Sequence, residues 1–486
     1  MSKLRKFLIA LLVFVLVLAG FGWWLTRGDT AGLALEDVTG TKPVLESPNS
    51  EIIPTVNIAE PIGWKKGEKP EAAQGLTVTR FADGLEHPRV LYALPNGDIL
   101  ATLTRGPKGD GGGITAWIAE KLMSRAGAGG ASPNQLVLLR DADGDGAAEQ
   151  RFVLTSDLSS PSGIAWADGV LYVANHDSLV SFSYAPGATK ITAKPKKLMD
   201  LPAAGNHWMR NIAFDPTGKK LYIAVGSASN IAENGMDKEV GRAAIHEYKV
   251  DQGTSRIFAA GLRNANGLDW NPWSDELWTT VNERDMLGSD LVPDYLTNVP
   301  VGAQYGWPWL YWRNNADRRV AGPIPTYVAS YARKPEFALG PHVAALGLAF
   351  TEQGHRMGEP FARGAFIARH GSWNRIPASG YDVVFVAFDE RGNPLGKPVP
   401  VLTGFLTGDG KTRGRPTWVA WDKGGALLVS DDTAGIIWRV VDPKAKPAPP
   451  IVRVKSTPLK PQSELRGDPR DAFTDEFART VAMPIE

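Results

Sequence analysis

Short apolar runs fill the chain from about residue 75 to residue 442, and glycine, proline, asparagine and aspartate break them. Many runs are rich in β-branched and aromatic side chains, which is typical of strands. One unit recurs six times: an apolar triplet, a polar turn and a second apolar strand. Its copies are RVLYALPNGDILATL near Pro95, GIAWADGVLYVANH near Asp168, NIAFDPTGKKLYIAVG near Pro216, GLDWNPWSDELWTTVN near Pro272, GLAFTEQGHRMG near Gln353 and WVAWDKGGALLVSDD near Lys423.

The spacing of these copies, about 50 to 80 residues, indicates a propeller or a similar array of repeats. Each copy supplies two strands of a four-stranded blade, and the residues between copies supply the other two. The sequence therefore predicts an all-β, six-bladed β-propeller over residues 75–442. The stretch GITAWIAEKLMSRAG, residues 113–127, predicts a short helix inside one of the insertions.

The regions that flank the propeller lack its pattern of short apolar runs. A basic start, MSKLRK, precedes an uncharged apolar run from Phe7 to Leu25, which is long enough for a transmembrane helix. Residues 1–27 are therefore expected to be a signal anchor, with a cleaved signal peptide as the alternative. Residues 28–74 are expected to be a linker and 443–486 an extended tail. On this hypothesis the protein is periplasmic or otherwise extracytoplasmic, and only the N-terminal helix meets the membrane.

Composition and short motifs exclude several classes of function. The chain has 486 residues, a net charge of +1 and no cysteine, so we expect no nucleic-acid partner, disulfide or thiolate chemistry. GFLTGDGKT and GAGGAS fail the phosphate-loop and dinucleotide patterns. DADGDGAAE, which begins at Asp141, places Phe152 where a calcium-binding EF-hand loop needs glutamate. Two interpretations of this stretch stay open, a turn rich in aspartate and a calcium loop of another kind.

Polar clusters stand at equivalent places beside the repeats, and the loops of a propeller converge at the ends of its channel. They are NHWMR, GLRNANGL, NERD, RHGSWNR, GRP and SDDTAG. His207, in the first of them, is a candidate base, because its ordinary pKa of about 6.5 suits proton abstraction at neutral pH. A packed loop histidine is the alternative. No side chain accepts a hydride, so redox chemistry would require a bound organic cofactor.

The ordered set GLRNANGLDW, NERD, YGWPW, HGSWNR and GYDVVFVAF resembles the glucose/sorbosone dehydrogenase family, and its sorbosone-dehydrogenase-like branch most. The resemblance covers most of residues 75–440. It implies a six-bladed propeller that uses pyrroloquinoline quinone (PQQ) and calcium to oxidise an aldose or a related sugar. It also implies an external electron acceptor, a quinone or a cytochrome.

The resemblance further implies roles for individual residues. His207 would take the hydroxyl proton of the sugar as hydride moves to PQQ. The residues implied to contact the cofactor are Arg263, Asn264, Asn282, Arg284, His370, Arg375, Arg415 and Asp432. Backbone carbonyls of Asn282, Glu283 and Arg284 would hold calcium. This chain has Ser227 where glucose-oxidising members orient the histidine with aspartate, and Thr417 in place of a second arginine. A lactonase-like, calcium-dependent hydrolase or a binding propeller is the alternative function.

Overall fold

A computed structural model describes residues 3–107, 114–203 and 205–453. Within these ranges the helices are α1 (Lys3–Thr26), α2 (Ile114–Arg125), a 3₁₀ helix (Met236–Glu239) and α3 (Thr326–Tyr331). Helix α2 confirms the helix predicted inside the insertion. The expected transmembrane helix is not confirmed, because no helix in the described part of the chain is long and apolar enough to cross a membrane. Most of the predicted C-terminal tail, residues 454–486, lies outside the described residues.

The strands are, in chain order, β1 (Glu71–Ala72), β2 (Thr77–Ala82), β3 (Pro88–Ala93), β4 (Ile99–Leu103), β5 (Gln135–Arg140), β6 (Gln150–Thr155), β7 (Gly163–Ala167), β8 (Val170–Ala174), β9 (Ser178–Ser183), β10 (Lys196–Asp200), β11 (Ile212–Phe214), β12 (Lys220–Val225), β13 (Ala244–Lys249), β14 (Thr254–Ala260), β15 (Asn264–Asn271), β16 (Glu276–Asn282), β17 (Pro293–Asn298), β18 (Leu310–Tyr311), β19 (Asn315–Ala316), β20 (Phe337–Pro341), β21 (Ala345–Phe350), β22 (Gly364–Arg369), β23 (Asp382–Phe388), β24 (Pro394–Thr403), β25 (Pro416–Trp421), β26 (Leu427–Asp431) and β27 (Ile436–Val441).

These strands form six antiparallel blades, which confirms the predicted six-bladed propeller. Blades 1, 2 and 3 are β3–β6, β7–β10 and β11–β14. Blade 4 is β15, β16, β17 and β20, and blade 5 is β21–β24 with β1 added at its edge. Blade 6 is β25–β27 with β2 as its outer strand. The first strands of neighbouring blades contact one another in a closed ring, so they line the central channel.

Five of the six repeats found in the sequence are the hairpin formed by the first two strands of a blade. The fifth, GLAFTEQGHRMG, contains only the first strand of blade 5, and the second strand, β22, begins at Gly364. In blade 2, Asp168 and Gly169 form the two-residue turn with φ of 49° and 79°. Two positive φ angles match the right-handed twist of the flanking strands, and aspartate followed by glycine favours them. The inner strands are nearly fully buried, because they pack against neighbouring blades on both sides.

Glycines on the inner strands allow neighbouring blades to approach closely. A Cβ on Gly163 would lie 2.4 Å from the carbonyl oxygen of Arg210, and one on Gly267 would lie 2.5 Å from that of Leu346. Both distances are shorter than any tolerable contact, and the obstructing atoms belong to backbone. The tight ring around the channel therefore depends on the absence of a side chain at these positions.

Residues 28–74, expected to be a linker, lie along the propeller in the structure. Their backbone amides donate to the propeller at several points, among them Asn57 N to the carbonyl of Trp373 at 2.7 Å and Ile62 N to that of Thr412 at 2.8 Å. Strand β1 pairs with β24 of blade 5. Trp64 donates from Nε1 to Asp431 Oδ2 at 3.0 Å. The segment is thus a strap that joins loops of blades 5 and 6.

Gly267→Ala is expected to destabilise the fold by about 1–3 kcal/mol, the usual cost of adding volume to a packed core. The reason is the 2.5 Å approach of the Leu346 carbonyl oxygen. Gly408→Ala is the matched control, because Gly408 is exposed and has no atom within 4 Å of a built Cβ. Urea unfolding followed by tryptophan fluorescence measures both. Equal midpoints for the two variants would contradict the role of Gly267.

Candidate functional site

The predicted site residues lie at one end of the propeller. In an antiparallel blade, the loop after the second strand and the connection to the next blade emerge at the same end. His207, Arg263 and Arg415 precede the first strands of blades 3, 4 and 6. His370 and Asp432 follow the second strands of blades 5 and 6. The closed ring therefore gathers them around one mouth of the channel.

The half-buried His207 is held in one tautomer. Its Nδ1 lies 2.9 Å from the carbonyl oxygen of Ser227 and 3.0 Å from Ser227 Oγ. That hydroxyl donates to the carbonyl of Ser229 at 2.6 Å, so both oxygens of Ser227 face Nδ1 as acceptors and Nδ1 carries the hydrogen. Nε2 is left with its lone pair and makes no hydrogen bond within the described residues. Ser227 thus orients the ring.

Burial lowers the pKa of His207 to about 3, and the positive charge of Arg263 acts in the same direction. The imidazole is therefore neutral at physiological pH and available as a proton acceptor.

Asn264 lies beside His207 because Gly226 leaves room for both side chains. A Cβ on Gly226 would come within 2.3 Å of Asn264 Oδ1 and 2.6 Å of His207 Cβ. Asn264 Nδ2 donates to Asn282 Oδ1 at 3.2 Å, whereas its own Oδ1 is buried without a partner among the described residues. A buried acceptor without a donor costs about 1–3 kcal/mol. A ligand that offers an N–H or O–H group would remove this cost.

Arg263 is fully engaged inside the protein. Nε and Nη2 donate to the backbone and side-chain oxygens of Asn230 at 3.1 and 2.9 Å. Nη1 donates to the carbonyls of Asn282 at 3.4 Å and Glu283 at 2.6 Å. Nη2 also donates to Asp285 Oδ2 at 2.7 Å. All five donors of the guanidinium are used, so Arg263 assembles the loops of the site and contributes a fixed positive charge.

Asp285 and His342 extend this network, and the sequence assigned neither of them a role. Asp285 Oδ1 accepts from Asn374 Nδ2 at 2.9 Å and lies 3.5 Å from His342 Nδ1. His342 Nε2 lies 3.0 Å from the carbonyl of Gly288, so both ring nitrogens face acceptors. Burial lowers the pKa of His342, but Asp285 outweighs it and raises that pKa above its ordinary value. His342 is therefore protonated more readily than an ordinary histidine, and it shares the Asp285 carboxylate with Arg263.

A second cluster surrounds the buried carboxylate of Asp432. Arg89 Nη1 donates to its Oδ2 at 2.5 Å, and His370 Nε2 lies 3.0 and 3.1 Å from its two oxygens. Thr433 Oγ1 donates to Oδ1 at 2.9 Å, and His87 Nε2 lies 3.5 Å away. Although burial opposes ionisation, the hydrogen bond from His370 and the positive charge of Arg89 hold the pKa of Asp432 well below its usual range.

Arg89 links this cluster to the loop that carries His207. Its guanidinium carbon lies 5.6 Å from the ring centroid of Trp208, and Nη2 lies 2.7 Å from Met209 Sδ. Sequence reasoning missed both Arg89 and His87. A usable signal exists, since HPRV stands directly ahead of the first repeat, just as NHWMR and GRP stand ahead of the third and sixth.

Arg415 is a buried cation without an anionic partner in the described part of the chain. Its side chain stacks on Tyr381, with the guanidinium carbon 5.1 Å from the ring centroid, and Nη2 lies 3.4 Å from the tyrosine hydroxyl. Nε is buried and unpaired. The backbone is firmly held, because Arg415 N donates to Asp431 Oδ1 at 2.8 Å and its carbonyl accepts from Thr417 Oγ1 at 3.2 Å. A buried charge requires compensation, and a bound anion or quinone oxygen would supply it.

Arg375, another residue predicted to contact the cofactor, binds groups of the protein instead. Arg375 donates from Nε to the carbonyl of Ser289, from Nη1 to that of Pro377 and from Nη2 to Asp290 Oδ1, at 2.9–3.1 Å. Arg375 therefore joins two loops, and of the pair His370 and Arg375 only the histidine faces the Asp432 cluster.

The groups predicted to hold calcium are contacted by arginine side chains in this structure, and calcium binding at Asn282, Glu283 and Arg284 stays a prediction. Calcium favours several oxygen ligands, carboxylates among them. Glu283 Oε2 accepts from Arg284 Nε at 3.0 Å, and the Arg263 guanidinium lies on the carbonyls of Asn282 and Glu283. Arg284 itself is fully buried and donates to carbonyls of residues 308–310. These residues surround cations that the protein already provides.

The DADGDGAAE stretch forms the turn between β5 and β6. Asp141 Oδ1 and Oδ2 accept from the amides of Gly144 and Gly146, and Asp143 and Asp145 accept from amides two residues further on. Both interpretations of this stretch stay open, because the turn is held by its own hydrogen bonds and its carboxylates are also grouped. Four carboxylates, those of Asp141, Asp143, Asp145 and Glu149, lie within 4.8 Å of one another there.

The fold and the site define the class: a six-bladed propeller with a neutral imidazole and an uncompensated cation at one mouth of its channel. The TrAA12-like family profile matches residues 133–300 and 326–443, more than half of the chain. The chain belongs to this family.

Two curated relatives accompany the family match. An uncharacterized protein of Borreliella burgdorferi is 26% identical over 303 residues, which cover 60% of this chain and 77% of that protein. The aldose sugar dehydrogenase YliI of Escherichia coli is 28% identical over 164 residues, which cover 30% of this chain and 41% of that protein.

Solved structures show the same fold. A Trichoderma reesei protein of carbohydrate-active enzyme family AA12 aligns with a TM-score of 0.62 at 18% identity, covering 77% of this chain and 97% of that one. The PQQ domain of pyranose dehydrogenase from Coprinopsis cinerea aligns with a TM-score of 0.60 at 20% identity, covering 79% and 100%. The resemblance found in the sequence motifs is thus confirmed at the level of the family and the fold.

The two site histidines of the first network should titrate in opposite directions in ¹⁵N–¹H correlation spectra of the imidazole rings. His207 is expected to stay neutral, protonated on Nδ1, until the pH approaches about 3, and His342 to remain doubly protonated at pH 6.5. Below pH 6.5, keeping His207 neutral costs stability as the pH falls. The His342 contribution is complete below pH 6.5 and is lost as the pH rises through its folded-state pKa. His207→Ala and His342→Gln assign the signals, and ordinary titration of both near 6.5 would refute the two networks.

Arg415→Met and Arg375→Met should differ in their effect on stability. Arg375→Met leaves the buried Asp290 carboxylate without its cation and is expected to lower the free energy of unfolding by about 3–5 kcal/mol. Arg415→Met removes a buried cation that has no anion, so the free energy of unfolding should be unchanged or higher. Urea midpoints of the two proteins without added ligand provide the comparison. A loss at Arg415 as large as that at Arg375 would show that the Arg415 charge is compensated within the protein.

Proposed function

We propose that this protein is a sugar oxidoreductase that binds PQQ and oxidises an aldose or a related, sorbosone-like sugar. The observation that carries the proposal is the pairing of a neutral, oriented His207 with the unpaired guanidinium of Arg415 at one mouth of the channel. The similar proteins support the substrate and cofactor class, since they include an aldose sugar dehydrogenase and a PQQ domain of a pyranose dehydrogenase.

The unpaired groups of the site fit a planar quinone that carries carboxylates. Arg415 offers donors and a positive charge, and a guanidinium matches carboxylate and quinone oxygens in a plane. Asn264 Oδ1 offers a buried acceptor for an N–H or O–H group. Arg263 and His342 add positive charge around the site while staying bound to the protein. When bound, PQQ would supply the hydride acceptor that side chains cannot provide.

His207 would act as the base in this reaction. Oxidation of a sugar C–OH group requires removal of the hydroxyl proton as the hydride leaves carbon, and Nε2 of the neutral imidazole has a free lone pair. Ser227 keeps that lone pair on Nε2 by holding Nδ1–H. The buried Arg210 fixes the loop, because its Nη1 donates to the carbonyls of His207 and Met209. Completion of the turnover requires an external electron acceptor, a quinone or a cytochrome.

The proposal predicts that the full chain, incubated with PQQ and calcium, reduces a redox dye when aldoses are added. His207→Ala should lower the rate by about 10²–10⁴-fold, the range for loss of a general base, while PQQ binding measured by its absorbance survives. His176→Ala is the matched control, because this half-buried histidine bonds only to Ser159 within the described residues. Full activity in His207→Ala would remove His207 from the proposal.

Absence of both PQQ binding and dye reduction in the wild-type protein would overturn the proposed function itself.

A further inference from the structure

His370 has the geometry of an oriented base. Its Nε2 faces both oxygens of the Asp432 carboxylate at 3.0 and 3.1 Å, and an ionised carboxylate only accepts hydrogen bonds. Nε2 must therefore carry the hydrogen, and the lone pair lies on Nδ1. Nδ1 makes no hydrogen bond with any residue that the structure describes. The ring is half-buried, with 16% of the side chain exposed, whereas the carboxylate beneath it is 1% exposed.

His370 and His207 are thus complementary within one site. His207 holds its hydrogen on Nδ1 against Ser227 and presents Nε2, whereas His370 holds its hydrogen on Nε2 and presents Nδ1. Ser227 stands behind His207, whereas a carboxylate, that of Asp432, stands behind His370. Arg89 joins the two, because it binds Asp432 at 2.5 Å and stacks on Trp208, the neighbour of His207.

The pKa of His370 lies below its ordinary value, so its ring is neutral at pH 7. Burial lowers its pKa, and the cations Arg415 and Arg89 act in the same direction, while Asp432 opposes them. The adjacent His87 is also neutral, because burial lowers its pKa to about 4. Protonation of His370 would place a positive charge directly on the Asp432 carboxylate, which stabilises the ion once it forms.

We propose that His370 and Asp432 form a second proton-accepting pair of this site, which works alongside His207. The inference rests on the proposed function. Oxidation of a C–OH group to C=O releases two electrons and two protons in total. The hydroxyl proton leaves first, to His207, and the hydrogen that leaves carbon as hydride becomes the second proton when the electron pair passes to the external acceptor. His370 takes this second proton at Nδ1 and returns it to solvent.

The first test reads the tautomer of His370 in the wild-type protein without any ligand. ¹⁵N–¹H correlation spectra should show hydrogen on Nε2 of His370 and on Nδ1 of His207, with His370→Gln assigning the signal. In Asp432→Asn the amide offers its own hydrogens to Nε2, so the preference for Nε2–H should be lost. Wild-type His370 protonated on Nδ1, or on both nitrogens at pH 7, would overturn the proposal.

The second test separates the two halves of the turnover by stopped flow. In PQQ-loaded His370→Gln, reduction of the cofactor by sugar should proceed at the wild-type rate. Its reoxidation by a dye should slow by about 10²-fold, the lower range for a lost acid–base group. His176→Ala is the matched control, because this half-buried histidine bonds only to Ser159 within the described residues. Equal slowing of both halves, or no slowing, would overturn the proposal.

The two tests keep this inference distinct from the proposed function. If the wild-type protein takes up no PQQ, the proposed function fails, and with it the pair's role in reoxidation. The ligand-free spectra would still decide whether His370 is the oriented base that the geometry indicates.

Discussion

The pairing of β2 with β27 is the constraint on which the rest of the molecule depends. Blade 6 takes its outer strand from the start of the propeller and its other three from the end, in a register that joins Thr77 to Val441 and Ala82 to Ile437. These few hydrogen bonds turn a row of blades into a ring. Only in a closed ring do loops that lie far apart in the chain face one another across a channel mouth.

Closure also decides which side chains share an electrostatic environment. Arg89, near the start of the first strand of blade 1, reaches Asp432 after the second strand of blade 6 and Trp208 ahead of blade 3. Because these side chains are buried, each charge needs compensation. Arg263 has Asp285 and Arg375 has Asp290. Within the described residues, Arg210 and Arg415 have no carboxylate partner: Arg210 donates to three backbone carbonyls, whereas Arg415 stacks on Tyr381, and a bound anion would compensate its charge.

The sequence predicted the fold well because its strongest signal is physical and repeated. The inner hairpins are apolar on both faces and are joined by turns such as Asp168–Gly169, so they can be recognised from the amino-acid sequence alone. The outer strands, for example the exposed and polar β10 (Lys196–Asp200), carry little pattern.

The site was harder to predict. One arginine looks like another in sequence, and only packing shows that Arg284 is buried among carbonyls while Arg415 is unpaired. Ser227 orients His207 partly through its backbone carbonyl, which every residue type has, so the identity of the residue does not predict this role.

The Asp431 carboxylate has a mechanical consequence. One of its oxygens holds the backbone of Arg415, and the other accepts from Trp64 of the strap. The Asp431 carboxylate thus connects the strap to the loop that carries Arg415. Proteolytic cleavage of the strap near residue 64 would leave the six blades intact, yet it would remove the Trp64 hydrogen bond that helps to fix Asp431 and, through it, the backbone of Arg415. Cleavage far from the channel mouth would therefore weaken ligand binding at Arg415.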